Sequence, residues 1–380
     1  MDAARSGILG FVALLLLFSS GAECHTAKIN AATREVLSIL RDPANYDKGV
    51  MAANESGPLD TELQLFFRDV DIDDVDMQMT VDLTFRMIWR DSRLVYKTPG
   101  VPYVTLTESE LAWFPDPFFK NAISTQQQQT MIPQSYLRVY SDGRLVYSTR
   151  MIVLLSCDMD FSRFPHDVQH CSIPIASYGY TIEDLIFHFK DTSVTMTNGS
   201  IQSRNFYIDR FVTDSCNSKT STGVYSCVKV ELRINRQVTS YILEWYIPCV
   251  FLVVVAGMSE LVVAAEFLTR VLLTLVPLIT LAMYASVYAL LTTPSVPFFR
   301  PLDIFSGFSL LVIFLQLLRV VILHYYAQRK LKEERGELLP RHPRDDFLET
   351  IIVNADNIAK FTLLAFYILF VFVYIVAYST

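Results

Sequence analysis

An arginine on the wet side of a strand, two close cysteine pairs and a few tyrosines carry most of the chemistry this sequence offers. Val75, Met77, Met79, Val81, Leu83, Phe85 and Met87 alternate with Asp76, Gln78, Thr80, Asp82, Thr84 and Arg86. Val75–Trp89 therefore reads as one strand with a buried face and a polar face. Arg86 falls on the polar face, where its planar fork can meet a carboxylate with two parallel hydrogen bonds. Tyr178 and Tyr225 can flank an ammonium group through their ring faces. Cys157 and Cys171 enclose Phe164-Pro165-His166-Asp167. If bridged, that ring removes roughly 3 kcal/mol of chain freedom from the unfolded state, and its Phe-Pro pair favours a rigid, projecting turn. Cys216 and Cys227 form a second close pair. Cys249, inside an apolar run, reads as a buried thiol, and Cys24 stays unassigned.

Other chemistries find little support. Of His25, His166, His170, His188, His324 and His342, only His166 and His170 stand in a His-x-x-x-His spacing, without the glutamate that a metalloprotease motif carries between them, and no serine or cysteine nucleophile motif occurs. The sequence therefore predicts no enzyme, no cofactor and no metal. Asp69, Asp71, Asp73, Asp74 and Asp76 read better as a solvated acidic turn than as a weak calcium site. A net charge of −7 argues against a nucleic-acid partner.

The elements that must position these residues fall into two unlike parts. Hydrophobic residues make up 52% of the 380, with the excess concentrated after Arg236. Residues 1–22 read as a signal peptide: Arg5, an apolar run over Ile8–Phe18, then Ser20-Gly21-Ala22. Residues 23–240 read as an exported domain, a compartment in which disulfides persist. Asn54-Glu-Ser56 and Asn198-Gly-Ser200 are N-glycosylation acceptors there. A short amphipathic helix is expected over Thr33–Arg41, followed by strands and turns. Asp142-Gly143 between Leu137–Tyr140 and Leu145–Thr149 is a tight-hairpin signal. The expected fold is an immunoglobulin-like β-sandwich. Apolar runs near 242–263, 271–291, 304–324 and 361–378 each approach bilayer-spanning length. This places three spans in 241–326, an intracellular loop at 327–356 and a fourth span at 357–380. Arg329, Lys330, Lys332 and Arg335 in the loop agree with the positive-inside rule. The predicted class is a multidomain membrane protein, an extracellular sandwich followed by a four-helix bundle in the plasma membrane.

The aromatic-Pro-x-Asp centre of the Cys157–Cys171 segment resembles the signature loop of the Cys-loop receptors, the pentameric ligand-gated ion channels. Trp113-Phe114-Pro115-Asp116 and Tyr246-Ile247-Pro248 are similar to two further motifs of that family. The second cysteine pair resembles the capping loop of glycine- and glutamate-gated chloride receptors. The resemblance implies disulfides Cys157–Cys171 and Cys216–Cys227 and a site between subunits. Arg86 and Ser148 would come from one subunit, with Ser177, Tyr178, Thr222 and Tyr225 from its neighbour. Phe118 and Phe119 are similar to a Phe-Phe-x-Asn segment of the same receptors, which implies that both border the ligand, with Ala122 where many have Glu. One chain carrying both halves implies a homopentamer, four further identical subunits, opened by a small amino-acid-like zwitterion and leaning to chloride.

The second span is expected to line the pore. Thr269, Leu272, Val276, Ile279, Met283, Ser286 and Leu290 form one helical stripe, apolar enough to stop ions by dewetting. Pro277 predicts a kink or local unwinding. A ring of Arg270 would favour anions and a ring of Glu266 cations, which leaves the permeant ion open. Glu260 stands in unusually apolar company and reads as a functional or interfacial carboxylate. Coupling is expected where Phe164-Pro165 rests on the link from Thr293 to Pro297, containing Pro294. The competing reading is a non-conducting or auxiliary pentameric subunit that needs a partner to conduct, motivated by Pro277 and the apolar stripe.

Overall fold

A computed structural model describes residues 26–52, 57–107, 109–197, 203, 205–262, 266–291, 296–335 and 362–378. The expected signal segment, Cys24, Asn54, Asn198, Pro294 and the part of the expected loop after residue 335 lie outside them. Helix α1 spans 26–40, starting earlier than its periodicity suggests, and buries Ala32, Val36 and Leu40 along one stripe.

Two sheets follow. The larger runs β3 (Tyr103–Leu106), β6 (Ser135–Tyr140), β7 (Arg144–Ser156), β2 (Gln78–Arg90), β1 (Leu59–Asp73) and β9 (Leu185–Met196), with β5 (Ala122–Gln127) pairing the far end of β7. The smaller runs β10 (Phe206–Ser215), β13 (Cys227–Arg236), β8 (Val168–Ser177) and β4 (Pro117–Phe119). Met79, Val81, Leu83, Phe85, Met87 and Trp89 of β2 are all buried, and so are Ile173, Ile175, Val230, Leu232 and Ile234 of the opposite sheet. These two sets of inward residues form the sandwich core. The Cys157–Cys171 disulfide ties the end of β7 to β8. Gly143 turns the β6–β7 hairpin at φ +78°, where only a residue without Cβ is at ease.

β2 begins three residues later than the alternation predicts. Asp73 accepts the backbone N–H groups of Val75 (2.9 Å) and Asp76 (3.1 Å), and Met77 adopts φ +52°. A carboxylate that caps its own turn outcompetes pairing, so Val75 ends exposed.

Among the described residues, three helices are long and apolar enough to cross a membrane: α2 (Val238–Glu260), α3 (Phe267–Leu291) and α4 (Pro301–Glu334). A shorter apolar helix, α5, covers Thr362–Tyr378. α2 contains a π turn at Ile242–Tyr246 and ends in a 3₁₀ turn at Met258–Glu260. α3 is helical straight through Pro277. α4 continues ten residues past its apolar run, so the segment expected as loop from residue 327 starts as helix. Tyr246 and Tyr374 hydroxyls at 2.7 Å join α2 to α5, and Ser309 and Tyr367 at 3.1 Å join α4 to α5.

Candidate functional site

The arginine foreseen on β2 sits directly across the ladder from Ser148 on β7, and Ser148 in turn faces Tyr136 on β6. Cross-strand pairing thus sets Arg86 and Ser148 side by side on one face. Arg86 makes no salt bridge among the described residues, and its buried Nε has no hydrogen-bond partner. A desolvated guanidinium nitrogen without an acceptor is costly until something anionic arrives. A second arginine shares this face. Arg68 on β1 donates from Nε to Thr84 Oγ1 at 3.1 Å, at a register shift between Phe67 and Asp69. Sequence reasoning missed Arg68, although Leu63, Leu65 and Phe67 alternate and place it on the outward face; the apolar Phe66 on that same face blurs the signal.

The other predicted half is built on the smaller sheet. Asp116 receives Ser177 Oγ (2.7 Å) and the backbone N–H groups of Tyr178 (3.1 Å) and Gly179 (2.6 Å). Ser177 Oγ also accepts from Tyr180 N at 3.0 Å, so this buried hydroxyl is committed to shaping the loop. Tyr178 is left 78% exposed, edge-on to Phe118 at 5.5 Å. The Cys216–Cys227 disulfide closes a small hairpin, β11 (Ser218–Thr220) and β12 (Gly223–Tyr225). Thr222 Oγ1 and the Tyr225 hydroxyl lie 3.0 Å apart at its tip. Ile182 donates to Val224 O at 2.9 Å, which pins the hairpin beside the Tyr178 loop. Phe119 differs from expectation: it packs inward against Phe85 (5.8 Å), away from Tyr178. No hydrogen bond or ring contact among these residues joins the Arg86 group to the Tyr178 group within the chain.

At the membrane end of the sandwich, Phe164 and Pro165 are buried, with a cis peptide between them. Phe164 meets Tyr241 edge-on at 5.2 Å and lies under the guanidinium groups of Arg236 (4.6 Å) and Arg300 (5.4 Å). Arg236 grips Asp167 through Nε (2.7 Å) and Nη2 (3.1 Å) and also binds Asp74 and Tyr241. Burial alone would lower the Arg236 pKa, but hydrogen bonding to Asp167 and the nearby negative charges more than offset it and hold it above its ordinary value. Among the described residues, the tip therefore rests on Arg236 and on Arg300 at the head of α4. Pro297 is exposed. Sequence reasoning missed Arg236; its signal was an arginine placed where the last strand meets the first apolar helix.

In α3, Thr269, Leu272, Val276, Ile279, Met283 and Ser286 are all exposed on one side; the Leu290 side chain lies outside the described residues. The opposite stripe, Arg270, Thr274, Pro277 and Leu281, is buried against the chain's own helices. Arg270 thus lies off the predicted pore stripe, about 200° around the helix from Leu272. Glu266 is exposed at the helix start, with Thr269 Oγ1 3.5 Å from it.

Residues 33–238 match the family model described as neurotransmitter-gated ion-channel ligand binding domain. A glutamate-gated chloride channel of Drosophila melanogaster is 34% identical over 81% of this chain and 69% of its own length. A glutamate-gated chloride channel beta subunit of Haemonchus contortus is 28% identical over 77% of this chain and 68% of its own. A gamma-aminobutyric acid receptor rho-2 subunit of Rattus norvegicus is 30% identical over 73% and 60%. The sandwich with its bridged loop, the apolar helices that follow and these matches agree, and the chain belongs to the neurotransmitter-gated ion channels, the Cys-loop receptors.

Proposed function

We propose that five copies of this chain form a channel opened by an acidic amino acid bound at each subunit seam. The observation that carries the reading is the Arg86 guanidinium, beside Ser148, with no carboxylate partner among the described residues. Arg86 and Ser148 from one subunit bind the ligand's α-carboxylate. Tyr178 and Tyr225 from the next flank its ammonium, each contributing about 0.5–2 kcal/mol, and Thr222 closes over it. Arg68, on the same face as Arg86, supplies a second cation, which favours a ligand with a second carboxylate such as glutamate. The named glutamate-gated relatives support the same choice, and their names support chloride as the permeant ion. Phe164, Asp167, Arg236 and Arg300 carry ligand occupancy to the helices, through tighter binding to the open arrangement.

The test is current and binding together. Glutamate applied to cells expressing the chain alone should evoke a chloride current, and Arg86→Ala should abolish both current and glutamate binding. Unchanged glutamate binding by Arg86→Ala would discard the site. Binding that is intact in the unaltered chain, with no current from it, would favour the auxiliary-subunit reading.

A further inference from the structure

The far ends of α2, α3 and α4 meet around a single carboxylate. Glu260, in the last turn of α2, ion-pairs with Arg319 of α4, and its Oε2 lies 3.6 Å from Arg270 Nη2 of α3. The three side chains are only 15%, 12% and 9% exposed. Arg270 also donates from Nε to Ser259 O at 3.2 Å. Glu260 Oε1 and Ser259 Oγ are buried there without a hydrogen-bond partner among the described residues. Two arginines therefore share one carboxylate that has acceptor capacity to spare, among helices built for an apolar surround.

Such a cluster has a directional consequence. A guanidinium buried among apolar helices stays there only while it is paired. Arg270 sits one turn from the start of α3, and its side chain is long enough to snorkel out once released. The nearest open side of that turn carries Thr269 and leads onto the exposed stripe of Leu272 and Val276. We propose that Glu260 is a positioning residue for ion selection: it ties Arg270 to α2 and α4 and so keeps one guanidinium per subunit off the conduction path. This rests on the reading of the assembly as a channel. The charge that ions meet at the inner mouth is then set by a residue that no ion touches.

Glu260→Gln keeps the shape and removes the charge. In the full-length channel it should raise the chloride-to-sodium permeability ratio, read from reversal potentials, by up to about tenfold, the scale on which a charged mouth enriches counter-ions. Adding Arg270→Gln should cancel the rise, and Glu260→Asp should restore the original ratio. A purely structural role would change surface expression and leave the ratio alone. An unchanged ratio in Glu260→Gln, or a rise that persists without Arg270, overturns the proposal. A second readout needs no current: on purified protein, an arginine-directed reagent followed by mass spectrometry should label Arg270 several-fold faster in Glu260→Gln, and equal labelling overturns the positioning role. If the unaltered chain carries no current, the channel reading fails while labelling still decides the tether. Should Glu260→Gln not assemble, the exchange Glu260→Arg with Arg319→Glu should assemble and keep Arg270 protected; an exchange no better than the single change counts against the tether.

Discussion

Replacing Asp167 by Asn tests the junction between sandwich and helices. The Arg236 side chain is fully buried and that of Asp167 is 2% exposed, with two hydrogen bonds between them at 2.7 and 3.1 Å. The substitution leaves shape and size unchanged but strips the cation of its best partner; Asp74 remains. A guanidinium keeps its proton throughout the ordinary pH range, so the stranded charge cannot escape by losing it. Breaking one side of such a pair costs about 3 kcal/mol. For a domain of roughly two hundred residues that corresponds to a fall of about 6–12 °C in unfolding midpoint. Adding Arg236→Gln should recover much of the loss, because two neutral partners can hydrogen-bond where one buried charge cannot. The assay is thermal unfolding of purified full-length protein for the two single variants and the double, with glutamate binding as the control. A fall below about 2 °C, or a double variant as unstable as the summed singles, would refute the reasoning.

Three further outcomes follow from the same geometry. Arg86→Lys keeps the charge but loses the two-pronged fork, so glutamate affinity should fall about 10- to 100-fold in a displacement assay, the loss of one charge-assisted hydrogen bond. His166, packed against Tyr246 and Tyr378, has its pKa pushed below the usual histidine value by burial, with Asp167 opposing. The unfolded chain therefore protonates first as pH falls through about 6.5, so the contribution is complete above that value and lost below it; unfolding midpoints between pH 8 and pH 5 should drop more for the natural chain than for His166→Phe. Phe164→Ala removes the ring that lies between Arg236, Tyr241 and Arg300, so glutamate should still bind while the evoked current falls; full current would count against this route.

Local periodicity made some elements legible and left others out of reach. The buried side of β2 from Met79 to Trp89 could be read directly, since alternation is a property of the strand itself. Val75 and Met77 broke the pattern because Asp73 offered their backbone a turn, which hydropathy does not register. The end of α4 was misjudged for a related reason. Its apolar run stops near residue 324, but Ala327-Gln328-Arg329-Lys330-Leu331-Lys332 are good helix formers and carry the helix on. Arg270 was legible as a cation at the start of α3, but its rotation depended on Glu260 and Arg319, on two other helices. The Arg236–Asp167 grip spans 69 positions, and no local pattern encodes such a pair.

The most direct test of the seam uses two crippled chains together. Arg86→Ala removes one half of the proposed site, and Thr222→Ala with Tyr225→Ala removes the other. Neither variant expressed alone should bind glutamate. Co-expression should restore part of the binding, because some seams would then pair an intact Arg86 with an intact Thr222 and Tyr225. No recovery, with both chains shown to assemble together, would contradict a site shared between neighbouring subunits.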